Sequence, residues 1–314
     1  MFKALTILAA LLATPAFAAD WTYTDGAGKT ITLPQPPSRI IAHANAAAAL
    51  IPLGNRPIGI FLDGAPSVDR ATKGLDLTGI EIVGKGWYEL NAEAILALDP
   101  DLILTEYAPL EGFYNGAVGD AAIIDRIEAI APIVGPAQGN SVIAMIEDYT
   151  KLAKSLGADL DAPEIIADKA AFDAALTRFK AAATAKPGLT VMAVSPSSTG
   201  ISIAAPSEFG ELSDFAAWGL NLVTPAVDPN SSYQTLSWEN ANLQPADLVL
   251  LDDRWGDRTA EDLAAQPLAQ RIPAVAAGQL GNWPAGWIRS YRAYAIELDK
   301  LTALIETANA DLVD

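Results

Sequence analysis

The chain has 314 residues, a formal net charge of −18 and no cysteine. So large an acid excess works against nucleic acid or an anionic membrane surface as partner, and leaves neutral or cationic ligands and a basic protein partner open. Without cysteine there is no disulfide, no thiolate chemistry and no lipid anchor of the bacterial lipoprotein kind.

Residues 1–18 read as a cleavable signal peptide. Lys3 supplies the positive start, Ala4 to Ala13 is apolar, and Ala16-Phe17-Ala18 has a small-x-small cleavage pattern. The apolar run is too short to span a bilayer. Export without lipidation places the mature chain, from Ala19, in a Gram-negative periplasm. What remains is long enough for two lobes with separate cores.

Trp21 to Leu33 alternates around Asp25-Gly26-Ala27-Gly28 and predicts a hairpin. Arg39 to His43 is the first core strand. An alanine-rich helix runs from Asn45 to Leu53, and strands follow at Pro57–Leu62 and Glu81–Gly86. Next comes Asn91-Ala92-Glu93, a helix that Pro100 stops, then Asp101-Leu102 leading an apolar strand. A loop over Glu106–Gly119 carries Tyr107, Phe113 and Tyr114. Ala121 to Ile130 is helical, and Ala131 to Val134 returns to the sheet. Strands alternating with helices mean a wound, mostly parallel sheet.

Ser141 to Leu156 has an unbroken helical stripe of Val142, Met145, Ile146, Tyr149, Leu152 and Ala153. It lies midway and predicts a stiff connector. A second helix starts at Pro163. Strands are expected at Leu189–Val194 and Gly200–Ala205, and a helix at Glu208–Trp218. Then the earlier unit recurs as Ser237-Trp238-Glu239, Pro245 and Asp247-Leu248. A helix over Ala260–Arg271, kinked by Pro267, a strand over Ala274–Leu280 and a helix over Ser290–Ala308 complete the chain. The fold class is therefore α/β, with two wound, mostly parallel lobes joined by one long connector helix. The lobes are 19–139 and 158–314, and the connector is 140–157.

Wound sheets bind ligands beyond the carboxyl ends of their strands. There the first lobe offers His43, Asn45, Lys85, Trp87, Tyr88, Glu106 and Tyr107. The second offers Tyr233, Arg254, Trp255, Trp283 and Trp287. Four of the seven tryptophans fall in these places, so a flat or bulky organic ligand between aromatic walls is expected. A single histidine cannot build a zinc or manganese site, and a bare metal ion is not the expected ligand. There is no G-x-S-x-G elbow, phosphate loop or G-x-G-x-x-G after a strand. Catalysis is not expected; an enzyme would have to use His43, Asp252 and Asp253. Glu93 and Glu239 suit the positive end of a helix, and their matched placement also suits a pair of pegs for arginines on a partner.

The order of these features resembles periplasmic substrate-binding proteins of iron-siderophore ABC importers, in the helical-linker class that also holds haem and cobalamin binders. The motifs are the Asp-Gly hairpin, the Arg39-Ile40 strand start, Leu90-Asn91 to Asp99-Pro100-Asp101-Leu102, the connector, and the Ser237–Glu239 repeat. Gln266 to Gly278 and Trp283 to Trp287 are similar to the ferric-hydroxamate-binding branch. The resemblance implies a monomeric receptor that binds ferric iron only as a siderophore complex and has no cofactor of its own. It implies a cleft lined by Trp287, Tyr107 and Tyr233, and an inner-membrane permease docked through Glu93 and Glu239. Where that branch carries an arginine ahead of the first-lobe motif, this chain reads Lys85-Gly86-Trp87-Tyr88-Glu89, which leaves Arg254 to supply the cation. A haem or cobalamin binder of the same fold, with His43 or a tyrosine as axial ligand, is the alternative.

Overall fold

The computed structural model describes residues 20–87, 89–109, 111–116, 121–228 and 231–313. The leader expected over 1–18 and the candidate Tyr88 lie outside them.

Strands β1 (Trp21–Thr24) and β2 (Thr30–Leu33) pair as the expected hairpin, with Trp21 opposite Leu33. The first lobe then runs β3 (Ile40–His43), α1 (Ala44–Leu50), β4 (Gly59–Leu62), β5 (Glu81–Lys85), α2 (Ala92–Ala97) and β6 (Leu102–Leu104). A short antiparallel hairpin, β7 (Tyr107–Ala108) and β8 (Phe113–Tyr114), follows, then α3 (Ala121–Glu128) and β9 (Ile133–Val134). The sheet order is β5-β4-β3-β6-β9, and every pairing in it is parallel.

After α4 (Val142–Ser155) and α5 (Pro163–Ala185) comes the second lobe. It comprises β10 (Val191–Pro196), β11 (Gly200–Ala204), α6 (Gly210–Ala217), β12 (Tyr233–Ser237), β13 (Leu248–Asp252), α7 (Arg258–Ala264), α8 (Pro273–Ala276), β14 (Leu280–Trp283) and α9 (Tyr291–Thr307). Its sheet order is β12-β11-β10-β13-β14; β11 is antiparallel to both neighbours, and the other pairings are parallel.

Both sheets are buried on both faces. In β6, Leu102 and Leu104 enter one apolar cluster and Ile103 the other. In β13, Leu248 and Leu250 face one way and Val249 and Leu251 the other. That is why these strands read as continuous apolar runs.

The repeated Asp-Leu pair has a structural cause. Asp101 Oδ2 accepts the backbone N–H of Ser38 (2.8 Å) and Arg39 (2.9 Å), where the chain enters β3. Asp247 Oδ2 accepts the N–H of Thr190 (2.8 Å), where it enters β10. Each carboxylate locks two central strands together at their amino ends. These bonds outweigh the cost of burial and lower both carboxyl pKa values.

Helix α4 is capped by Ser141 and planted in both lobes. Val142, Met145 and Ile146 belong to the second-lobe core, and Tyr149, Leu152 and Ala153 to the first-lobe core. Asp214 on α6 accepts the Val142 N–H at one end (3.0 Å), and Ser155 accepts the Trp21 indole N–H at the other (3.1 Å). The chain then turns back. Ile165 on α5 still packs against the first-lobe core, while Phe172, Ala175 and Phe179 lie in the second. The connection thus uses two helices, α4 running from the second lobe to the first and α5 back again, and the chain crosses between lobes three times.

The structure corrects three expectations. The Ser237 repeat is not an α-helix but a 3-10 helix over Trp238–Leu243, and Ser237 makes no side-chain cap. Asn240 and Asn242 are weak helix formers, whereas α2 is capped by Asn91 Oδ1 on the N–H groups of Glu93 and Ala94. The Glu106–Gly119 stretch holds the β7–β8 hairpin. Pro273 starts the helical turn α8 where a strand was expected, and the strand itself is Leu280–Trp283.

Candidate functional site

Each lobe gathers aromatic rings at its strand ends. In the first lobe the β7–β8 pairing sets Tyr107 against Tyr114, ring centres 5.4 Å apart, and Trp87 meets Phe113 edge-on at 6.4 Å. Tyr114 donates its hydroxyl to Asp25 Oδ2 (2.5 Å), tying this hairpin to the turn between β1 and β2.

In the second lobe Phe209 stands edge-on to Tyr233 (5.1 Å) and to Trp283 (4.7 Å). The Arg254 guanidinium lies 5.8 Å above the Trp283 ring and donates to Tyr233 Oη (3.1 Å). It also grips Asp252, through Nε to Oδ1 (3.0 Å) and Nη2 to Oδ2 (2.9 Å). Trp283 is fully buried, so it does not line a wall. It is the last residue of β14, and its ring is the plate on which Arg254 and Phe209 rest. Trp255 is exposed on the loop beyond Arg254. Trp287 donates its indole N–H to Asp253 Oδ1 (2.7 Å). Burial raises the Asp253 carboxyl to about 6, against the pull of Trp287 and Arg70.

The lobes are joined by groups that the sequence reading did not pair. Arg289, between Trp287 and α9, forms a two-pronged ion pair with Glu106, Nε to Oε1 (2.5 Å) and Nη2 to Oε2 (2.9 Å). The two are 2% and 1% exposed. Tyr149 of α4 donates to Glu106 Oε1 (3.0 Å); Gln138 (3.1 Å) and Asn45 (3.3 Å) donate to Oε2. Asn45 also reaches the carbonyl of Gly286 in the other lobe (3.1 Å). Burial would raise the Glu106 carboxyl, but Arg289 outweighs it and holds Glu106 well below the carboxylate range. Burial also raises the nearby Glu211, whose Oε1 accepts the Gly286 N–H (3.0 Å).

A second inter-lobe contact lies at Arg70, in the loop after β4. Its Nε donates to the Asp253 carbonyl (3.1 Å), and its Nη2 stands 3.6 Å from Asp257. Beside it is a cavity of about 610 Å³. Arg70 and Lys73 line it from the first lobe, and Asp253, Asp257, Trp287 and the Ile296–Lys300 face of α9 from the second. That size suits a small organic ligand. Of the candidate aromatics Trp287 lines it; Tyr107, Tyr233 and Trp87 do not. The first-lobe cations at the cavity are Arg70 and Lys73, which a scan of the residues immediately after strands overlooks because their loop is long.

His43 is fully buried, with Nε2 2.9 Å from Asp63 Oδ1. Gly116, in left-handed backbone, lies so near that a Cβ there would come within 2.5 Å of the ring. Burial opposes the charged ring, but Asp63 outweighs it and raises the His43 pKa. His43 thus pairs with Asp63 in the first lobe, and Asp252 with Arg254 and Asp253 with Trp287 in the second. Among the described residues no cluster of three or more His, Asp or Glu could hold a metal ion, and no helix is long and apolar enough to cross a membrane.

Residues 75–285 match the family model for periplasmic binding proteins. The chain belongs to that family. Among solved structures, this periplasmic binding protein is similar to DesE, a ferric-siderophore receptor protein from Streptomyces coelicolor. The two are 30% identical with a TM-score of 0.84, over 92% of this chain and 99% of that one. SirA of Staphylococcus aureus, solved with staphyloferrin B, is 20% identical with a TM-score of 0.63, over 92% and 99% of the two chains. The heme binding protein HmuT is 17% identical with a TM-score of 0.66, over 98% and 96%. These last two share the fold. A comparison with curated proteins found no match.

Proposed function

We propose that this periplasmic binding protein captures a ferric siderophore, hydroxamate-like in character, between its lobes and delivers it to an inner-membrane ABC permease without catalysis. The observation that carries the reading is the 30% identity to a ferric-siderophore receptor over nearly the whole chain. The iron arrives already wrapped by its chelator, so the protein supplies surfaces to bury the chelator and no metal ligands or cofactor. Trp287 serves with Arg70 and Lys73 at the cavity, and Tyr107, Tyr233, Trp87 and Arg254 serve at the strand ends outside it. Three cations beside as many acids at the cavity suit a complex of low net charge. The haem alternative loses its histidine, because the His43 ring is buried and held by Asp63.

The mature protein acts as a monomer in the periplasm after loss of its leader. Glu93 and Glu239 are exposed on equivalent short helices, and so are Leu96 and Leu243 one turn on. Two such pads suit a partner that offers arginines in pairs.

Fluorescence titration tests the reading. A ferric trihydroxamate complex should quench tryptophan emission to saturation, and Trp287→Ala should weaken its binding about tenfold or more. Absence of quenching by ferric hydroxamate, catecholate and citrate complexes alike would overturn it; a Soret shift with haem would favour the haem alternative.

A further inference from the structure

The two inter-lobe ion pairs differ in their access to water. Glu106 and Arg289 are buried; Glu106 takes three further donors, from Tyr149, Gln138 and Asn45, and Arg289 Nη1 also donates to the Ile288 carbonyl. Arg70, 18% exposed, donates to the Asp253 carbonyl (3.1 Å) and pairs at 3.6 Å with Asp257, whose side chain is 94% exposed. A pair with one partner in water exchanges that partner for solvent with little loss. A buried pair that separates leaves two charges without solvent. Parting of the lobes is therefore easiest where water already reaches.

We propose that the Glu106–Arg289 pair is the fixed point of the joint, and that the lobes open at the Arg70–Asp257 rim, which admits ligand to the 610 Å³ cavity. None of the residues bonded in the buried pair lines that cavity, whereas Arg70 and Asp257 do. Tyr107 adjoins Glu106 in sequence, and Trp287 lies two residues before Arg289, so these rings stay near the pivot. Arg70 and Lys73 sit on the part that moves. The pivot is independent of what is bound; the role of the cavity rests on the ligand-capture reading above.

The chain lacks cysteine, so Thr78→Cys with Glu261→Cys places one spin label on each lobe at exposed positions outside the joint. Pulsed electron paramagnetic resonance then reads the distance distribution without ligand. Arg70→Ala should shift it to longer distances and leave the thermal midpoint nearly unchanged. It should also speed association of a ferric trihydroxamate complex about fivefold. Arg289→Lys keeps the charge but loses the fork, and should broaden the distribution by loosening the pivot. Glu106→Gln provides a second route should Arg289→Lys fold poorly. The proposal is overturned if Arg70→Ala leaves the distances unaltered, or if both pivot variants lower the melting temperature while the distances stay as in the parent. If the ferric complex does not bind at all, the ligand reading fails, and the ligand-free distances still decide the pivot.

Discussion

Asp101 and Asp247 do the same work under different burial, and that difference can be measured. Asp101 is half-buried and accepts from Ser38 and Arg39; Asp247 is fully buried and holds Thr190 with one oxygen and the N–H groups of Leu312 and Val313 with the other. Asp247→Ala strands more buried donors, so it should cost about 3 kcal/mol against about 1 for Asp101→Ala. Urea melts of the two variants would show that order. Both carboxyls are lowered, so their contribution is present at neutral pH and is lost as pH falls below the ordinary carboxylate range. Asp253 has the opposite sign. Its carboxyl is raised to about 6, so the folded state favours the protonated form and loses stability as pH rises from about 4 to 6. Asp253→Asn keeps an acceptor for the Trp287 indole. It should raise stability at pH 7.5 by on the order of 2 kcal/mol and have little effect at pH 3.5, below both pKa values. The repeat and the strand-end aromatics were legible as residues because both obey local rules of spacing. Arg70 and the partner of Glu106 were not, since a charge's mate across two lobes leaves no periodic trace.

At the scale of the element, α4 is the part whose sequence and structure agree most closely. Its apolar stripe is continuous because both lobes cover it, and Ser141 marks its start. What the stripe could not show is which residues belong to which core. Ile146 packs in the second lobe and Leu152 in the first. Ile146→Ala and Leu152→Ala should each cost about 2–4 kcal/mol. Because one helix serves both cores, either change should lower a single melting transition reported equally by probes in the two lobes. Separate transitions would mean that the lobes fold independently. The Ser237 repeat misled for the converse reason. Its spacing matches α2, but two asparagines favour a tighter turn, and identity of pattern did not carry identity of helix type.

Taken whole, the molecule is acidic, two-lobed and closed at one edge by buried charge. On the docking reading, Glu93→Arg with Glu239→Arg should abolish iron uptake in cells while leaving binding of the ferric trihydroxamate complex within about twofold, because neither residue lies at the cavity or the joint. Loss of binding in vitro would contradict this division of surfaces. The wound α/β class could be read from the chain because helix and strand periods and capping residues are local. The degree of closure could not, because it depends on contacts between residues as far apart as Glu106 and Arg289.

The threefold passage of the backbone between halves has a further result. A single cut in the turn from Gly157 to Ala162 severs the polypeptide yet frees neither half, since α4 and α5 each remain rooted in both. Such a nicked protein should elute as one particle under native conditions and fall into two fragments only in denaturant. This makes the turn a natural site for new termini, where a rearranged chain could begin and end.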